Sequence, residues 1–291
     1  MSILTISDLH ISLRTPDGPR PIVDGIDLVL EKGRIHGLAG ESGSGKTITA
    51  LAILGLLPDS MTASGSITLA SDAGATELLG APRHVLGAIR GRRVAMVFQD
   101  PSTSLHPQIA IGRQLTDHMR HHLKLRKDAA RPRALELLER VKVPDPEGAL
   151  KKFPHQFSGG QRQRIAIAVA LACDPDVLLA DEPTTALDVT VQAGILELLR
   201  ELVDDSGVSV LLVTHDLGVM SAVADEVTVM RSGVVVESAP REQLFTHPQH
   251  EYTKSLLAAL PGSALEASPE TLVHDLLAAP AAAAPSQEDS P

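Results

Sequence analysis

The eight residues Gly40-Glu41-Ser42-Gly43-Ser44-Gly45-Lys46-Thr47 constrain this chain more than any other segment. Their spacing is G-x-x-x-x-G-K-T/S, with a short apolar strand pattern before them (Arg34 to Ala39) and an apolar helix pattern after them (Ile48 to Leu57, closed by Pro58). The glycines let successive backbone N–H groups curl around phosphate oxygens, and the positive end of the following helix adds to the attraction. In that geometry Lys46 reaches the β- and γ-phosphates and the Thr47 hydroxyl ligates Mg²⁺. A glycine-rich surface turn with an idle lysine is the competing reading, and the strand–loop–helix context weighs against it.

The rest of the chain supplies the sheet such a loop needs. Residues 3–13 read as a strand, Thr15-Pro16-Asp17-Gly18 as a turn and Val23 to Leu30 as a returning strand, so the chain opens with an antiparallel hairpin. Val94 to Phe98 is a further strand. Residues 101–157 then turn rich in Leu, Arg, Lys and His, with helical spacing at Leu135, Leu137, Leu138 and Val141, which predicts a helical insertion. Alternation resumes with a helix over Ile165 to Ala172, a strand over Asp176 to Ala180, a helix over Val191 to Val203 and a strand over Val208 to Thr214. A hairpin over Glu226 to Met230 and Gly233 to Glu237 follows. Strand–helix alternation of this kind means a parallel sheet covered by helices on both faces. Beyond Gly262 a helix starts at Ser268-Pro269-Glu270, and the alanine- and proline-rich end is expected to be disordered.

Val177-Leu178-Leu179-Ala180-Asp181-Glu182 is an apolar strand that delivers two carboxylates at its end, where a doubly wound sheet binds ligands. Asp181 would hold Mg²⁺, mostly through its water, and Glu182 would polarise an attacking water as general base. Alone, the pair reads equally well as a solvated acidic turn. Beside a phosphate loop it identifies a nucleoside-triphosphatase.

Composition narrows the partners. The net charge is −10 with both signs mixed along the chain, which argues against a nucleic-acid groove as the main surface. The single cysteine, Cys173, permits no disulfide framework and reads as a small buried apolar residue. No signal peptide and no stretch of about 20 apolar residues is visible, so another chain would have to supply any membrane part.

Ser158-Gly159-Gly160-Gln161, at the mouth of a helix shortly before the acidic strand, resembles the signature motif of the ABC ATPases. Its hydroxyl, glycine amides and helix N-terminus point at one anion. In the family fold it lies too far from the chain's own phosphate loop and serves the γ-phosphate held by a partner subunit, so the resemblance implies a dimer. The remaining family elements occur in order. Gln99 is similar to the Q-loop glutamine that senses Mg²⁺ and the γ-phosphate. Ala186-Leu187-Asp188 is similar to the D-loop that crosses the dimer interface, and His215 to the switch histidine on the γ-phosphate. Each has a plain structural alternative: a polar strand end, a helix cap at Asp188 and a structural histidine.

The resemblance covers about residues 3–262 and implies a P-loop NTPase (RecA-like) α/β parallel-sheet core with an N-terminal antiparallel β subdomain and a helical insertion. Residues 1–98 and 159–245 form the expected core, about 99–158 the helical subdomain, 246–262 an importer-type C-terminal segment and 263–291 a tail. Phe98-Gln99-Asp100-Pro101, Ser104-Leu105-His106-Pro107 and the run from Asp181 to Gln192 look like the oligopeptide, dipeptide and nickel importer branch, as do Phe245-Thr246-His247-Pro248 and Leu256 to Pro261. That branch implies ATP and Mg²⁺ as cofactors, two transmembrane permeases and a second ATPase subunit as partners, and an extracytoplasmic substrate-binding protein acting indirectly. It places the chain peripherally on the cytoplasmic face of the membrane, and no nucleic acid is expected. A soluble ABC ATPase acting on nucleic acid or ribosomes and an exporter motor are the alternatives. Three departures stand out. Leu13 occupies the place of the family's adenine-stacking aromatic. The tail has no cysteine for the iron–sulfur cluster of some members, so no cluster is expected. The His-Pro-Tyr motif is stretched to HPQHEYT, over His247 to Thr253.

Overall fold

The computed structural model describes residues 1–260 except 73 and 186. The expected tail helix at Ser268, the whole segment 263–291 and Ala186 lie outside the described residues.

β1 (Ser2–Thr15) and β2 (Gly18–Glu31) form the hairpin that the turn chemistry predicts, closing across Pro16-Asp17 with the Thr15 hydroxyl donating to the Gly18 carbonyl at 2.6 Å. β2 starts before the expected Val23. Pro19 and Pro21 argue against a strand there, but β2 is the edge of its sheet, where a missing N–H costs no ladder bond. β3 (Ile35–Ala39), buried throughout, runs into the glycine-rich loop and then α1 (Lys46–Ile53). α1 ends before Pro58. Gly55 takes φ 61°, and the N–H groups of Gly55 and Leu56 donate to the carbonyls of Ala52 and Leu51, both at 2.9 Å, closing a Schellman motif. β4 (Met61–Ser71) and β5 (Gly74–Glu77) complete an antiparallel sheet of order β2-β1-β4-β5. The sequence signals β4 and β5 only weakly, because small residues fill most of them and Ile67 and Leu69 alone reach the core of β4.

α2 (Arg83–Ile89) leads to β6 (Val94–Val97). The helices α3 (Pro101–Ser104), α4 (Ile111–His122), α5 (Lys127–Arg140) and α6 (Pro146–Ala149) come between β6 and α7 (Gly159–Leu171). β7 (Val177–Asp181), α8 (Val189–Ser206), β8 (Ser209–Thr214), α9 (Leu217–Val223), β9 (Glu226–Arg231) and β10 (Val234–Pro240) then alternate, and α10 (Arg241–Thr246) and α11 (Glu251–Ala258) close the described chain. The second sheet has the order β10-β9-β3-β8-β7-β6, parallel from β9 to β6, with β10 antiparallel at its edge.

Period-two alternation sends the apolar run of each central strand into two different cores. Val177, Leu179, Leu211 and Val213 pack with Leu38, α1 and the antiparallel sheet. Leu178, Ala180, Val210 and Leu212 face α7, α8, α9 and the helices of the insertion. Each fully buried Leu or Val contributes roughly 1.5–3 kcal/mol, so β7 and β8 are held from both sides. Arg93 ties the sheets together, donating from Nε to Asp176 Oδ2 at 2.7 Å and from a terminal nitrogen to the Ala70 carbonyl at 2.6 Å. Among the described residues no helix is long and apolar enough to cross a membrane.

His36, the second residue of β3, is 3 % exposed and its Nε2 lies 2.8 Å from Thr228 Oγ1. Burial outweighs the hydrogen bonding at the ring and lowers its pKa to about 4. Unfolded histidine takes up its proton near pH 6.5, so this site loses stability as pH falls from there toward 4. Urea unfolding should therefore show wild type losing about 2 kcal/mol more than His36→Gln between pH 7.5 and pH 5. Equal losses would mean that His36 is not held neutral.

Candidate active site

Parallel pairing puts the carboxyl ends of β3, β8, β7 and β6 along one edge of the sheet, and all the strand-borne site candidates sit there. β3 leads into Gly40–Thr47, β6 is followed by Gln99, β7 ends in Asp181 with Glu182 next, and β8 is followed by His215. A doubly wound sheet binds its ligands at this edge.

In the phosphate loop the Lys46 side chain is folded inward. Its Nζ donates to the carbonyls of Gly40 at 2.7 Å and Glu41 at 2.8 Å and reaches Ser44 Oγ at 3.4 Å. Burial pulls the Lys46 pKa down, against the carboxylates of Glu182, Asp181 and Glu41. Gly40 has φ 144°, and a Cβ there would stand 2.2 Å from the Met230 carbonyl oxygen, so no other residue fits where β3 turns into the loop. The Thr47 hydroxyl, in the first turn of α1, donates to Asp181 Oδ1 at 3.0 Å. Burial raises the Asp181 pKa, with the Thr47 hydrogen bond opposing it. This hydroxyl–carboxylate pair is the hard-oxygen chemistry that suits Mg²⁺. Among the described residues no group of three or more His, Cys, Asp or Glu could hold a metal ion, so an ion here would complete its shell with oxygens of Thr47, water or a bound phosphate.

Glu182 is the hub of the site. Its backbone is left-handed at φ 46°, and its N–H donates to the Val213 carbonyl of β8 at 2.8 Å, which turns the chain sharply at the end of β7. The carboxylate accepts from Gln99 Nε2 at 2.8 Å and Thr185 Oγ1 at 2.9 Å on one oxygen, and from His215 Nδ1 at 2.9 Å on the other. Burial works against its charge, but the His215 and Thr185 hydrogen bonds and the nearby Lys46 charge hold its pKa below the usual range. His215 in turn precedes the Asp216 cap of α9, whose carboxylate accepts from the N–H of Gly218 at 2.8 Å. The structure thus joins Gln99, Glu182 and His215 in one hydrogen-bonded cluster. Thr185 belongs to it as well. Sequence reasoning gave Thr185 no role, although a hydroxyl three residues after an acid at a strand end is a readable signal.

Ser158, Gly159, Gly160 and Gln161 form a second group around the N-terminus of α7. Ser158 Oγ accepts from the Gln161 N–H at 3.3 Å, and Gln161 Oε1 accepts from the Ser158 N–H at 3.1 Å, a reciprocal capping box. A Cβ on Gly160 would lie 2.4 Å from Val191 Cγ1, so this glycine lets α7 approach the first turn of α8 closely. Asp188 caps α8, its Oδ1 accepting from the Val191 N–H at 3.0 Å. These hydrogen bonds of Ser158, Gln161 and Asp188 are local to the two helix starts and do not involve residues 40–47.

The ABC transporter family profile matches residues 23–185. The chain is 46% identical over 261 residues to the dipeptide transport ATP-binding protein DppD of Bacillus subtilis (strain 168), spanning 89% of this chain and 77% of that protein. It is 44% identical over 270 residues to the oligopeptide transport ATP-binding protein OppD of the same strain, spanning 92% and 74%. A dimeric post-hydrolysis structure of the ATP-binding cassette MJ0796, bound to ADP and Pi, superposes with a TM-score of 0.71 at 26% identity, covering 82% of this chain and 98% of that one. The glycine loop, the carboxylate cluster, the Ser158 helix start and these relatives lead to one assignment: the chain belongs to the ABC transporter family, among its ATP-hydrolysing subunits.

Proposed function

We propose that this chain is the ATP-hydrolysing subunit of an ABC importer for peptides or a related solute, working as half of an ATP-sandwich dimer beneath two permeases. The observation that carries the catalytic reading is the Glu182 carboxylate, hydrogen-bonded by Gln99, Thr185 and His215 and held below the usual carboxylate range by His215, Thr185 and Lys46. Loop amides and Lys46 bind the phosphates, and Lys46 neutralises their charge. Thr47 and Asp181 would hold Mg²⁺, which supplies charge stabilisation for the leaving phosphates when bound. Glu182 accepts the proton of the attacking water, and Gln99 and His215 keep its two oxygens oriented.

The importer reading rests on relatives named for dipeptide and oligopeptide transport that match almost the whole chain. The sandwich reading rests on Ser158. Its oxygen accepts the Gln161 N–H, which leaves the hydroxyl proton to donate to an anion at the positive end of a 13-residue helix. Asp188 sits at the start of the neighbouring helix, where it would meet the same interface. In Glu182→Gln, turnover should fall at least about 100-fold while ATP binding persists. Light scattering should then register an ATP-dependent dimer. Wild-type turnover in this variant would remove Glu182 from its role.

Residues 99–157 would carry the permease-docking surface, and a cleft of about 220 Å³ between this insertion and the sheet, where Leu56 is 42% and Phe98 38% exposed, supports that reading. Met96 and Val169 add apolar surface, and Arg90 and His118 line the cleft with polar groups. Phe98→Asp should abolish co-purification with co-expressed permeases and leave ATPase activity of the free chain within about twofold. Intact co-purification would place the contact elsewhere.

Leu13 sits half-buried near the end of β1, paired with Arg20 and Met61, and offers aliphatic surface but no ring to a base. The neighbouring Arg14 guanidinium is held by the Asp59 carbonyl. Stacking a base on an aromatic contributes roughly 1–3 kcal/mol. Leu13→Tyr should therefore lower the KM for ATP and for GTP alike, by about fivefold. An unchanged KM for both would sink this account of the base.

A further inference from the structure

The stretched C-terminal motif ends on the phosphate loop. Tyr252, the chain's single tyrosine, lies in the first turn of α11 and is 5 % exposed. Its hydroxyl accepts the backbone N–H of Glu41 at 3.3 Å, across 211 residues of sequence. The carbonyl of the same Glu41 residue accepts from Lys46 Nζ at 2.8 Å and from the Ser44 N–H at 3.2 Å. The N–H that opens the loop is thus held by Tyr252, and the carbonyl behind it holds the phosphate-binding lysine.

Tyr252 is itself held by two neighbours, and the turn that leads into it is held by a third residue. The Arg231 guanidinium lies over its ring, 4.7 Å from the centroid, at the end of the strand whose Met230 carbonyl faces Gly40. His250 caps α11 by accepting the Tyr252 N–H at 3.1 Å. Glu237, on β10, accepts the N–H groups of Gln249 at 2.8 Å and His250 at 3.0 Å, which fixes the turn into α11. Each link from Glu237 to Lys46 is a hydrogen bond or a buried contact.

We propose that Tyr252 is a positioning residue for nucleotide binding, and that the C-terminal segment from Glu237 to α11 clamps the start of the phosphate loop. The proposal rests on the reading of residues 40–47 as the ATP site. The clamp leaves the chemistry at Glu182 untouched and acts on how well the loop amides and Lys46 are preset for phosphate. Its signature is a change in nucleotide affinity without a matching change in turnover. It also gives the segment after residue 240 a route to the nucleotide that does not pass through the helical insertion.

The test uses the full chain. Tyr252→Phe keeps the ring under Arg231 and removes only the acceptor, while Glu237→Gln loosens the turn into α11 from a distance. Both should raise the KM for ATP and the Kd for a fluorescent ATP analogue, by about fivefold for Tyr252→Phe, the size of one net hydrogen bond. The kcat should stay within about twofold and the nucleotide-free melting temperature within about 2 °C. Hydrogen exchange over residues 38–45 should speed up in both variants. Unchanged KM, Kd and exchange in Tyr252→Phe would overturn the clamp, and so would a lower melting temperature with KM unmoved, which marks a merely structural tyrosine. No ATP binding by wild type would remove the nucleotide reading itself, and the clamp with it.

Discussion

The chemistry of this chain depends on the parallel pairing of β3, β8, β7 and β6, because that pairing alone brings residues 40, 99, 182 and 215 to one edge. None of the four strands is stable by itself. They hold because the side chains of β7 and β8 are buried alternately into two separate cores, so that a shift of one residue would exchange the two sets. The register that satisfies both cores also fixes the height at which Asp181 meets Thr47 and Glu182 meets His215. Core packing and site geometry are therefore one constraint.

Within that frame, several strained or crowded positions cluster where the chain leaves the sheet. Gly40 turns under the Met230 carbonyl, and Glu182 holds a left-handed backbone that a side chain rarely adopts. A backbone of that kind costs on the order of 1–3 kcal/mol and persists only when its surroundings over-determine it. For Glu182 the surroundings are explicit: one backbone hydrogen bond to β8 and three side-chain donors on the carboxylate. The donors that hold its charge also hold its strained position.

How much of this was legible depends on how local each feature is. The phosphate loop, the acidic strand and the Ser158 helix start are contiguous motifs whose chemistry is written in eight residues or fewer, and the sequence placed them on the correct element ends. The β1–β2 hairpin was readable from Thr15-Pro16-Asp17-Gly18. The start of β2 was not, because whether Pro19 is tolerated depends on which strand becomes the sheet edge, a tertiary outcome. β4 was missed for a related reason, since its small residues carry little periodic signal and its place is set by pairing with β1. Pro58 marks the end of α1 in the sequence, although the N–H groups of Gly55 and Leu56 already satisfy the carbonyls of Ala52 and Leu51. Thr185 is legible only as a hydroxyl three residues after an acid, a signal that many surface turns share. Tyr252 was unreadable as a loop contact, because nothing local connects position 252 to position 41.

Asp188 illustrates how a plain structural role and a functional proposal can share one residue. Its Oδ1 caps α8, which satisfies an otherwise orphaned N–H and fixes where that helix begins. The same helix start packs against Gly160, two residues after Ser158. A carboxylate that carries a cap has one oxygen committed and a second able to accept from a facing surface. The cap holds Asp188 rigidly at the start of α8, which is what the proposed interfacial role requires of it.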